Sequence, residues 1–210
     1  MADQLTAEAF LPASDDLPAL ARAAADCRGC ELYRDATQTV FGRGPAPARL
    51  MLVGEQPGDV EDQRGEPFVG PAGRLLDRAL GEAGLAAGEA YVTNAVKHFR
   101  FKADPRGTSR RIHQKPSAGN IRACRPWLAA ELRAVRPELV VALGATAAQG
   151  LFGSGFRLTE HRGTVLQADF EGPVPVLATV HPSAVLRAPD RDAALAGLVA
   201  DLRAAADYLG

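Results

Sequence analysis

Four short apolar runs, at residues 50–53, 90–92, 139–143 and 174–180, alternate along the chain with longer helix-like stretches, and this alternation limits the folds open to it. The runs are rich in aliphatic and β-branched residues without polar alternation, the pattern of strands buried on both faces. Helical patterns occupy residues 72–83, 118–134, 145–152 and 189–208 between and after them. The expectation is an α/β chain with a mostly parallel sheet covered on both faces. The carboxyl end of each strand then opens onto a loop able to hold a ligand. Residues 164–167 read as an additional edge strand. Residues 17–25 form a helical pattern with no strong strand nearby, so residues 1–40 are expected to be an extension packed on a single domain spanning residues 1–210.

Composition narrows the function classes. Apolar residues make up 47 per cent and charged residues 23 per cent, the balance of a globular protein rather than a disordered or fibrous one. No run approaches the roughly 18 apolar residues of a membrane span, and no basic start leads into an apolar run, so a cytoplasmic protein without a membrane partner is expected. Three cysteines are too few for a disulfide scaffold and read first as metal or redox ligands. The net charge of −1 conceals an asymmetry: residues 97–115 carry Lys97, Arg100, Lys102, Arg106, Arg110, Arg111 and Lys115 against Asp104 alone. That local balance of +6 leaves −7 for the remainder. A basic segment in an acidic protein is expected to be a focused patch with phosphate as its partner.

The residues suited to chemistry sit where strands end. After the first run comes Gly54-Glu55-Gln56-Pro57-Gly58-Asp59, followed by Glu61, Asp62 and then Pro67-Phe68-Val69-Gly70-Pro71-Ala72-Gly73, all read as one long loop. Its glycines allow close backbone approach, and Glu55 stands at the mouth of a pocket, as a base or as the stabiliser of a cation. The spacing matches neither the dinucleotide nor the phosphate-loop fingerprint, which disfavours a nucleotide cofactor. His181, in His181-Pro182-Ser183, follows the fourth run and is brought toward the same rim as Glu55. Asn94, after the second run, carries a donor and an acceptor suited to a base edge.

These segments in order, GEQPGD with PFVGPAG, then VTNAVKH, CRPWL and a closing HPS, resemble the iron-sulfur uracil-DNA glycosylases of the uracil-DNA glycosylase superfamily, from about Cys27 to Arg187. Gln56 and the string Arg110-Arg111-Ile112-His113 resemble UdgX, the group within that superfamily that becomes covalently attached to uracil-containing DNA. The resemblance implies a three-layer α/β/α sandwich around a four-stranded parallel sheet. It implies that Phe68 stacks on a flipped uracil, Asn94 reads its edge, His181 stabilises the departing uracil anion and Glu55 is the catalytic carboxylate. Gly54, Gln56 and Asp59 would line the pocket, and Arg110 and Arg111 would meet the DNA. His113 would capture C1′ of the sugar in place of water. The substrate would be uracil-containing DNA, preferably single-stranded, and the protein a monomer. One departure is Ser109, where UdgX members have lysine, which removes a charge from the loop.

Cys27-x-x-Cys30 is a local metal motif, and Cys124 lies far along the chain. The resemblance implies a [4Fe–4S] cluster with His98 at the position of the missing cysteine, giving the ligands Cys27, Cys30, His98 and Cys124 and a structural role. Spacing alone also permits a Cys3His zinc site or unligated buried thiols. Two other functional readings stand beside the self-cross-linking enzyme. One is a hydrolytic glycosylase with turnover; the other is a non-catalytic single-strand-binding or redox-sensing iron-sulfur protein.

Overall fold

A computed structural model describes residues 6–210. Seven strands are present among them: β1 (Leu50–Gly54), β2 (Tyr91–Asn94), β3 (Phe101–Ala103), β4 (Arg111–His113), β5 (Leu139–Leu143), β6 (Val165–Asp169) and β7 (Pro173–Thr179). The helices are α1 (Leu17–Ala25), α2 (Asp59–Arg64), α3 (Pro71–Glu82), α4 (Ala118–Val135), α5 (Ala145–Phe152), α6 (Leu158–His161), α7 (Pro182–Leu186) and α8 (Arg191–Leu209). The main sheet has the order β2-β1-β5-β7-β6. Its first four strands are parallel, as the apolar runs require, while β6 pairs antiparallel with β7. The sheet therefore has five strands rather than four, the fifth supplied by the segment read as an edge.

Period-two alternation divides the strand residues between two helical layers. Met51, Val53, Val140, Ala142, Val176 and Ala178 pack with Leu128, Leu132, Ala147 and Leu151 of α4 and α5. Leu50, Leu52, Leu139, Val141 and Leu177 face Leu76, Leu80, Leu198 and Leu202 of α3 and α8. A third cluster joins the N-terminal segment to α4 through Leu20, Ala24, Leu32, Phe41 and Trp127. The helix starts are encoded locally: Ser117 and Asn120 form a reciprocal capping box at α4, Asp190 caps α8, and Pro71 opens α3.

Two segments differ from the sequence expectation. The stretch 54–73 is not wholly loop, because α2 forms within it; its turn carries too few apolar residues to leave a periodic trace. The basic stretch 97–115 contains an antiparallel hairpin, β3 with β4, in which Phe101 lies opposite His113.

The interior also holds an ion pair. Lys97 Nζ lies 2.5 Å from Glu131 Oε2, with both side chains fully buried. Lys97 also donates to Thr93 Oγ1 and to the Asn94 carbonyl, at 2.6 and 2.8 Å. Glu131 Oε1 accepts from Thr93, Tyr91 and the Gly42 amide. Burial and the neighbouring Glu131 carboxylate push the Tyr91 phenol up, keeping it a donor. Removing one partner strands a charge, so Lys97→Met should cost about 3–5 kcal/mol in denaturant-derived stability. The double change Lys97→Met with Glu131→Leu should recover most of it. Equal losses in the single and double variants would deny the pairing.

Candidate functional site

The carboxyl ends of β1, β2, β5 and β7 open onto one cavity of about 610 Å3. Glu55 follows β1, Asn94 ends β2, Thr146 lies in the first turn of α5 after β5, and His181 lies beyond β7. Glu55 is held from two sides. Thr146 Oγ1 donates to Glu55 Oε2, and His113 Nε2 lies 3.3 Å from Glu55 Oε1. His113 reaches the cavity from β4, and its side chain is 50 per cent exposed. Burial outweighs the Glu55 charge and, together with Arg187, holds the His113 imidazole below its ordinary value of 6.5. The ring is neutral at neutral pH.

His181 is fixed differently. Its Nδ1 accepts the Ser183 backbone N–H at 3.1 Å, so the proton of the neutral ring resides on Nε2. Burial, His113 and Arg187 push its pKa down to about 4. The ring is therefore an uncharged donor. Its centroid lies 6.0 Å from that of Phe68. Phe68 adopts a left-handed backbone with φ of 55°, a conformation costing about 1–3 kcal/mol for a residue other than glycine. Packing maintains it: a Cβ on Gly73 would stand 1.7 Å from the Phe68 carbonyl oxygen. A Cβ on Gly54 would stand 2.3 Å from Asn94 Oδ1 and 2.6 Å from the Phe68 ring. Glycine at these positions is what lets Phe68 and Asn94, itself 2 per cent exposed, approach the floor of the cavity. Glu61 completes that wall by accepting the Gly70 amide at 2.8 Å.

The hairpin that carries His113 is latched at two points. Gln56 Nε2 donates to the carbonyls of Arg100 and Gln114, both at 3.1 Å, and its Oε1 accepts the Arg100 amide. Arg111 donates to Asp62 Oδ2 at 2.6 Å, to Thr37 Oγ1 at 3.1 Å and to the Asp59 carboxylate. It also lies over the Phe99 and Phe101 rings. Gln56 lines the cavity with its side chain spent on the hairpin; Asp59 lies outside the cavity lining, facing Arg111.

The basic patch is thinner than its count of cations. Lys97 is buried, Arg111 faces two carboxylates, and Arg106 pairs with Asp104, whose carboxyl it holds down at about 2. Arg100 donates to the Lys115 carbonyl. Arg100, Lys102, Arg110 and Lys115 enter no ion pair among the described residues. A charge count along the sequence cannot see acids that reach the segment from α2 or α4.

Thr146 and Arg187 escaped the sequence reading, while Glu61 and Lys115 were noted in the loop and in the basic segment without a place in the cavity. The strand-end rule that singled out Glu55 and His181 applies equally to Gly144-Ala145-Thr146 after β5. Arg187 carries no comparable signal.

Behind β2 lie the candidate metal ligands. Cys27, Cys30 and Cys124 are near enough for each thiol's charge to act on its neighbours, and burial pushes Cys124 up to about 12. Cys27 Sγ accepts the Trp127 indole N–H and Cys124 Sγ accepts the Lys97 amide, both at 3.2 Å. N–H groups aimed at sulfur suit a thiolate better than a thiol. His98 is buried one residue after Lys97, with Nε2 2.9 Å from Thr39 Oγ1 and its pKa lowered to about 4 by burial. Among the described residues no three His, Cys, Asp or Glu side chains surround a single metal ion.

Residues 41–203 match the uracil DNA glycosylase superfamily. The chain is 36 per cent identical over 180 residues to a type-4 uracil-DNA glycosylase of Archaeoglobus fulgidus, covering 83 per cent of this chain and 85 per cent of that protein. It is 34 per cent identical over 179 residues to one from Pyrobaculum aerophilum, covering 83 and 86 per cent. A type-4 enzyme of Thermotoga maritima is 36 per cent identical over 162 residues, covering 77 and 78 per cent.

If Arg111 anchors the hairpin, Arg111→Ala should speed amide hydrogen exchange in residues 101–113 while β1 and β5 stay protected. Unchanged exchange in the hairpin would remove Arg111 as its anchor.

Proposed function

The chain belongs to the uracil-DNA glycosylase superfamily, and from that membership we propose that it excises uracil from DNA and then captures the deoxyribose itself, in the manner of UdgX, through His113. The observation that carries this reading is the imidazole of His113 at 3.3 Å from the Glu55 carboxylate inside the cavity. Uracil enters flipped from the strand, since a stacked base is out of reach. Phe68 offers its ring to the base face, and Asn94 offers its amide to the base edge. As the glycosidic bond breaks, its electron pair leaves with uracil, and His181 Nε2–H donates to the oxygen that gains charge. Glu55 faces the cationic sugar. It accepts the Nε2 proton of His113, and the freed lone pair forms the N–C1′ bond. The product is a neutral N-alkylimidazole, a poor leaving group. Arg110 and Lys115 are available to phosphates; Gln56, Asp59 and Arg111 act on the hairpin rather than on DNA. Single-stranded DNA is the simpler substrate for a flipped base, and one chain supplies every group named, so a monomer suffices.

The names of the relatives carry glycosylase activity alone, which favours hydrolysis with turnover as the second reading. Boiling the protein in SDS with labelled uracil-containing single strands separates the two. A heat-stable band at the combined mass, absent with thymine DNA, is expected; alkali-labile sites without that band would mean that water wins. His113→Ala should lose the band and keep uracil release. Glu55→Gln should slow bond breakage by about 10²–10⁴-fold. Protonated imidazole has no lone pair, so adduct formation should be flat above the ordinary imidazole value of 6.5 and fall as pH drops through the lower pKa of His113. His181, at about 4, is a neutral donor at neutral pH. A rate that climbs toward acid would contradict this order.

The same reading assigns Cys27, Cys30, Cys124 and His98 to a [4Fe–4S] cluster that ties the N-terminal segment to α4. When bound, such a cluster supplies cross-linking, because no step above moves an electron. Stoichiometric iron and acid-labile sulfide in the purified protein are expected; a colourless protein with one zinc would refute the assignment.

A further inference from the structure

A second cavity, of about 550 Å3, lies between the first turns of α4 and the last turns of α5. Lys115 lines both this cleft and the Glu55 cavity, which makes the two continuous along the surface. Lys115, Arg122 and Arg125 face the cleft against a single carboxylate, Asp169. Arg122 is exposed and enters no ion pair among the described residues. Arg125 is held 4.1 Å over the Phe170 ring, which fixes the guanidinium without neutralising it. Beneath the cations the surface is apolar, formed by Ile121, Leu151 and Phe152.

A cationic rim above an apolar floor suits a nucleotide: phosphate oxygens pair with the rim and the base covers the floor. A free phosphate would need no such floor, and an apolar partner would leave three cations unpaired. Continuity through Lys115 identifies the occupant as the strand whose uracil fills the neighbouring cavity. Resting on the glycosylase reading, we propose that the α4–α5 cleft seats the nucleotides flanking the uracil on one side only. Lys115 and Arg122 hold their phosphates, and the Ile121–Phe152 floor receives a base. The cleft thereby adds affinity for longer strands and gives bound DNA a fixed polarity.

The test compares uracil release and binding for a trinucleotide with central uracil and for the same trinucleotide extended by about six nucleotides on the 5′ or on the 3′ side. The protein should gain from extension on one side. Arg122→Glu should remove about tenfold of that gain and lower the salt slope of binding by about one unit, while Arg122→Lys keeps most of it. The proposal falls if Arg122→Glu leaves the gain intact, or if it lowers the gains on both sides equally, the mark of long-range charge alone. Absence of uracil release from every substrate with the unaltered protein would instead overturn the glycosylase reading, and the cleft assignment with it.

Discussion

The buried contact between Lys97 and Glu131 is the constraint on which the rest of the site depends. An ion pair with both side chains at zero exposure has lost its hydration, and Coulomb attraction offsets that loss only where geometry and further hydrogen bonds are good. Here the remaining donors and acceptors are met by Thr93, Tyr91, Asn94 and the Gly42 amide. These partners come from β2, the turn that follows it and the segment after the N-terminal helices, while Glu131 comes from α4. One charge pair therefore sets the register of three pieces of chain. The turn that follows Asn94, a cavity residue, is thereby held against α4. The Lys97 backbone amide itself donates to Cys124. One short segment thus joins Asn94 in the cavity to the contact with Cys124.

Above that foundation, the cavity is built from strand ends and from strained or glycine-dependent contacts. Phe68 is kept in its left-handed conformation because the chain at Gly73 closes under its carbonyl, and Glu61 pins the following turn through Gly70. In the proposed reaction that strain serves preorganisation, because the ring is placed before a base arrives and no binding energy is needed to place it. His181 follows the same logic. Its tautomer is chosen by the Ser183 amide, so Nε2 carries the proton in the resting protein, as the proposed reaction requires.

The four parallel strands and the major helices were legible because each is an apolar run or a periodic stretch with a local start signal. Glu55, Asn94 and His181 were legible for the related reason that parallel strands deliver their carboxyl ends to one rim. What escaped lies in contacts between distant segments. Nothing near Lys97 in sequence indicates that Glu131 will meet it 34 positions later. Nothing near Arg111 reveals Asp59 and Asp62, so a cation counted as a phosphate ligand turns out to face carboxylates. Helix α2 was hidden for a different reason: with six residues, three of them acidic in its first turn, it has no apolar period to detect. Gln56 lines the cavity, but its side chain is directed at the hairpin backbone, which a local motif does not reveal.

Those two hidden latches bear on the choice between hydrolysis and capture. A sugar cation is short-lived, and the nucleophile already aligned with C1′ takes it. Water reaches it at bulk concentration at most, whereas a well-oriented intramolecular group acts at an effective concentration on the order of 10⁵ M or more. That advantage exists only while the group is held within tenths of an ångström of its line of attack. His113 is half-exposed, stands on a three-residue strand and draws little support from the core. Its position is imposed instead by Gln56 at the base of the hairpin, by Arg111 two residues before it and by the Glu55 carboxylate at its own Nε2. In the proposed reaction the imidazole supplies the bond, but the polar contacts around the hairpin decide whether that bond forms before water arrives.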